Sequence, residues 1–115
     1  MNLPLLYVLQ KKDVDAVKQS VRNLILTNHY ERPFHPEIGS GVSNLLFEQI
    51  DPITANALTR TIGEVIENFE PRARVVSIDA RPNLAANSYE VTISFRVINI
   101  PGELVTLDVM LERSR

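Results

Sequence analysis

Two hydrophobic rhythms divide this chain. Val14, Val17, Val21, Leu24 and Ile25 recur at three- and four-residue intervals, with Lys18, Gln19, Arg22 and Asn23 on the other face. That spacing predicts an amphipathic helix whose apolar stripe faces a core. Asp13 or Asp15 is placed to cap it, because a carboxylate there accepts the free N–H groups of the first turn, and the helix should fray near Asn28. Pro33 and Pro36 follow, each pushing its predecessor, Arg32 or His35, into extended geometry. Phe34 and Ile38 would anchor that loop, and Gly39 supplies a permissive turn. Ser40 can cap a short second helix carrying Val42, Leu45, Leu46 and Phe47 inward. Asp51 and Pro52 make a stronger start signal for a third, with the cap and first helical position each filled by a favoured residue. Its buried stripe reads Leu58, Ile62, Val65, Ile66 and Phe69. Thr61 and Glu64 have capping-box spacing but fall inside this helix, where no N-terminus needs them.

Pro71 stops the helix, having no N–H to donate and a ring that clashes with the preceding turn. Beyond it the period is two. Val76, Ile78 and Ala80 alternate with Ser77 and Asp79. Tyr89, Val91, Ile93, Phe95 and Val97 alternate with Glu90, Thr92, Ser94 and Arg96, the clearest half-buried strand. Val105, Leu107, Val109 and Leu111 alternate with Leu104, Thr106, Asp108 and Met110. Turn formers occupy 82–87 and 99–102, as antiparallel neighbours require. The predicted fold class is α+β, with N-terminal helices packed on one face of a C-terminal three-stranded antiparallel meander.

Composition narrows this picture a little. At 115 residues the chain has the length of one domain, large enough to fold without staples. The reading is an N-terminal arm over 1–12, packed on a single domain over 13–115. The apolar run from Leu3 to Leu9 is too short to span a bilayer and lacks a basic leader and cleavage site, so neither membrane insertion nor a signal peptide is expected. Net charge is −2 with both signs interspersed, which argues against a nucleic-acid binder and its concentrated basic face. The absence of cysteine removes disulfides, thiolate zinc sites and thiol catalysis together.

Candidate chemistry is thin. Glu37, Glu48, Glu64, Glu67 and Glu70 could supply a glycosidase pair, but such a pair needs a cleft and a carboxyl of raised pKa, and Glu64 and Glu67 lie on a polar helix face. His29 and His35 near Glu31 and Glu37 lack the helical spacing of a zinc site. Gly39, Ser40 and Gly41 form neither a nucleophile elbow nor a phosphate loop. No enzyme, cofactor, metal or small-molecule substrate is expected. Two surface features stand out instead. Glu70, Pro71 and Arg72 put opposite charges on a stiff corner, whose plain alternative is a solvent-exposed ion pair worth little. The last strand would be a sheet edge, with Leu104 and Met110 on the face that should be polar. Its plain alternative is an edge protected by the charged tail Glu112, Arg113, Ser114, Arg115.

Arg32, Pro33, Phe34, Pro36 and Gly39, then Leu45, Leu46, Phe47 and Glu48, then Glu70, Pro71 and Arg72, resemble the baseplate wedge proteins of contractile phage tails. These are sheath-initiator subunits also found in type VI secretion and contractile injection system baseplates. The resemblance runs from about Val14 to the C-terminus and departs at Ile38, where many relatives carry an aromatic residue. It implies a non-enzymatic virion component of the tail baseplate, assembled in the host cytoplasm. Its partners would be other wedge subunits and the tail sheath protein. It further implies docking on the wedge core through Glu70, Pro71 and Arg72. Sheath assembly would start by strand pairing along Leu104, Val105, Thr106, Leu107, Asp108, Val109 and Met110. Two other readings share the residues: an anti-adaptor-like regulatory binding protein of similar fold, and a peptidoglycan hydrolase using Glu37 or Glu48.

Overall fold

The computed structural model describes residues 5–29, 45–46, 49–100, 102 and 104–113. Helices α1 (Leu5–His29) and α2 (Pro52–Phe69) precede strands β1 (Ala73–Asn83), β2 (Ser88–Val97) and β3 (Val105–Glu112). The strands form one antiparallel sheet in the order β1-β2-β3, so among the described residues β2 is central and both neighbours are edges. Between α1 and α2, Leu45 and Leu46 are helical, with Leu46 buried and Leu45 partly so, as the inward stripe requires. The motif residues Arg32, Pro33, Phe34, Pro36 and Gly39 lie outside the described residues, as do Glu37 and Glu48.

One face of the sheet is apolar and covered. Tyr89, Val91, Ile93, Phe95 and Val97 of β2 and Leu107, Val109 and Leu111 of β3 join one buried cluster with Val17, Val21 and Ile25 of α1 and Leu58, Ile62 and Ile66 of α2. Full burial of each large side chain contributes about 1.5–3 kcal/mol, which is what holds two layers together. α2 lies against β1, while α1 lies against β3 and α2. The register stacks Ile78, Ile93 and Leu107 in one row and Ala80, Val91 and Val109 in the next.

Three sequence expectations need correction. α1 does not begin at Asp13 or Asp15; residues 5–12 already belong to it. Nothing between Leu5 and His29 breaks a helix, and an exposed aspartate costs only a fraction of a kcal/mol inside one. In β1, the register slips between Val75 and Ser77, a bulge that leaves Val76 unpaired and 55% exposed. Val75 therefore takes the inward place expected for Val76. Phe69, at the last position of α2, is 40% exposed rather than buried, because the helix outruns the core there.

Candidate functional site: the Glu70–Arg72 corner and the β3 edge

The corner is built by a helix stop. Glu70 caps α2 with φ −134° and ψ 80°, the non-helical geometry that the following proline imposes, and its N–H still donates to the Ile66 carbonyl at 2.8 Å. The Ala73 N–H donates back to the Glu70 carbonyl at 3.1 Å, closing a tight turn around Pro71. The Ile98 N–H donates to the Arg72 carbonyl at 2.8 Å, so the turn is pinned to the end of β2. Four consecutive residues thus join helix, turn and sheet with little freedom left.

The two charges of the corner are not equivalent, and this corrects the expectation that a partner could reach both. Glu70 is buried at 4% exposure, whereas the Arg72 side chain is 56% exposed. Arg72 Nε donates to Glu70 Oε1 at 3.1 Å and Nη2 donates to the same oxygen at 2.6 Å. A guanidinium carries five N–H donors, so five less these two leaves three for an outside acceptor. The hydrogen bond and charge of Glu70, with a smaller contribution from Asp13 on α1, hold the guanidinium above its ordinary pKa. The buried carboxylate orients the arginine, and the arginine faces outward.

Beside the corner, a groove of about 640 Å³ runs between α2 and β1, with Arg60, Glu64 and Glu67 on its helical wall and Pro71 and Arg74 on the other. The sequence offered one signal for it: Arg74 stands two residues after Arg72, at strand period. Its helical wall comes from a different element, which no local pattern could bring opposite Arg74. Glu64 and Glu67 are exposed on that wall, so they form no buried acid pair.

The predicted pairing strand is β3, and the backbone shows which of its groups point away from β2. Arg113 N–H donates to the Asn87 carbonyl at 3.0 Å, continuing the register in which Glu112 faces Ser88. In an antiparallel ladder, hydrogen-bonded pairs alternate along the strand. Val105, Leu107, Val109 and Leu111 therefore bond to β2, while Leu104, Thr106, Asp108 and Met110 turn their backbone groups away from it. The same residues carry the exposed side chains, Leu104 at 41% and Met110 at 56%. Thr92 donates from Oγ1 to Asp108 Oδ1 at 2.8 Å, so the outer face has polar cross-strand pairing of its own.

The two edges differ. Applied to β1, the alternation points the backbone N of Pro82 outward, where its missing N–H leaves no donor, and the Val76 bulge bends the same edge. Along its paired length β3 has neither proline nor register shift.

Known proteins resemble this chain in sequence and in fold. Residues 11–101 match the family described as baseplate wedge protein gp25. Over 99 residues the chain is 32% identical to the baseplate wedge protein gp25 of Enterobacteria phage T4, covering 86% of this chain and 75% of that protein. Among solved structures, a putative tail lysozyme from Geobacter sulfurreducens matches with a TM-score of 0.73 at 22% identity, covering 100% of this chain and 97% of the other. At that identity the likeness describes the fold alone.

Proposed function

The chain belongs to the baseplate wedge protein family, and from that premise we propose that it joins the wedge core to the tail sheath through two separate surfaces. The first is the Glu70–Pro71–Arg72 corner, where Arg72 presents three unused donors to a carboxylate on another wedge subunit. The second is the free edge of β3, which takes a strand of the sheath protein and so starts sheath assembly. The observation that carries the first assignment is the burial of Glu70 beneath an exposed Arg72. A surface ion pair needs no buried partner, whereas a contact arginine gains from having its rotamer set in advance. A planar fork also fits a carboxylate in one orientation, which is what an assembly joint requires.

On this reading the protein works in the tail baseplate of the virion, among wedge subunits, as a structural part. The test is co-assembly. Arg72→Lys keeps a cation on the buried Glu70 carboxylate but loses the planar fork. The variant should fold by circular dichroism and co-purify poorly with the wedge from producing cells. Normal incorporation of a folded Arg72→Lys protein would remove the guanidinium fork from the docking surface.

A further inference from the structure

The geometry points to a second copy of this chain as an occupant of the β3 edge, paired antiparallel about a two-fold axis through Leu107. This rests on the same open edge as the proposed sheath contact. It adds that the free protein covers that edge with itself.

The argument is one of register. Leu104, Thr106, Asp108, Met110 and Glu112 turn backbone groups away from β2, so two copies must pair even-numbered positions with even-numbered ones. Registers offset by an odd number of residues are therefore excluded. Among those that remain, setting Leu107 opposite Leu107 of the second copy places Leu104 against Met110 and Thr106 against Asp108, twice over by symmetry. The two exposed apolar side chains of the strand then cover one another. The hydroxyl–carboxylate pair repeats the contact that Thr92 already makes with Asp108, and a carboxylate has acceptor capacity for both. Val105 meets Val109 on the inner face. Moving the axis to Asp108 would instead oppose two aspartates, and moving it to Thr106 would set Leu104 against Asp108, both unfavourable. The favoured register joins two three-stranded sheets into one of twice the width and leaves no β3 edge exposed. A sheath strand would then have to displace the second copy, so sheath pairing competes with self-pairing.

The experiment is sedimentation equilibrium on the full chain over a concentration series. Wild type should show a reversible monomer–dimer equilibrium. Met110→Lys places an ammonium against Leu104 and should weaken it about tenfold or more. Adding Leu104→Glu to that variant creates two Glu–Lys pairs across the axis and should recover the dimer at low salt but not at high salt. A wild-type chain that stays monomeric to several hundred micromolar, on the scale where weak interfaces become visible, would overturn the inference. So would a double variant that associates no better than Met110→Lys alone. Thr106→Pro separates the two uses of the edge. If wild type is monomeric while folded Thr106→Pro blocks sheath assembly, self-pairing falls and the sheath contact stands. If wild type dimerises, Thr106→Pro is monomeric and sheath still assembles, the sheath contact falls and self-pairing stands.

Discussion

Asp51 shows how far a single residue can be read in advance. Its carboxylate accepts from Thr54 N–H at 2.6 Å with Pro52 at the first helical position, the arrangement that the dipeptide announces. Asp51→Ala should therefore cost about 1 kcal/mol of stability, measured by urea denaturation. What the residue alone did not announce is that its own N–H reaches the Tyr89 hydroxyl at 3.3 Å, tying the start of α2 to the central strand. Glu70 teaches the opposite lesson. Glutamates at helix ends are ordinarily solvated, and nothing local told this one apart. It is buried because the turn folds back over it, with the half-exposed Arg72 beside it to balance its charge. Glu70→Gln should lower the thermal midpoint more than Glu64→Gln, an amide swap on the exposed face of α2; equal shifts would mean that the corner pair does not matter to the fold. Because Arg72 is held above its ordinary pKa, its part of that stability is present wherever the unfolded guanidinium is charged. It does not titrate near neutral pH.

Elements were legible where periodicity was long and regular. β2 and β3 follow their alternation without interruption, since one face meets two helices and the other meets water. β1 breaks its alternation at Val76, because the extra residue matters only once β2 is aligned beside it. A strand viewed alone has no register to slip. The same logic governs proline tolerance in β3. Thr106→Pro removes an outward N–H and should leave a folded protein, whereas Leu107→Pro removes an N–H bonded to β2 and should unfold it. Circular dichroism with thermal melting distinguishes them; two equally unfolded variants would mean that the outward and inward positions are assigned the wrong way round.

At the scale of the whole molecule, α2 sets the distances. Its 18 residues separate the Asp51 cap from the corner by about 27 Å at 1.5 Å per residue. The corner and the middle of β3 are separated by two strand spacings and roughly six residues of rise, on the order of 22 Å. Sites that far apart should behave independently. Arg72→Lys should give wedges depleted of this protein, and Thr106→Pro should give wedges that contain it but carry no sheath, so the two arrests are distinguishable by electron microscopy and gel composition. Identical arrests would argue for one surface rather than two. The sequence by itself determined the α+β class, the helix stop at Pro71 and the inward faces of β2 and β3, because each follows from a local period or a local covalent constraint. The burial of Glu70, the bulge at Val76 and the free groups of the β3 edge belong to the tertiary structure. Each depends on which neighbour lies alongside, and only the folded chain chooses the neighbours.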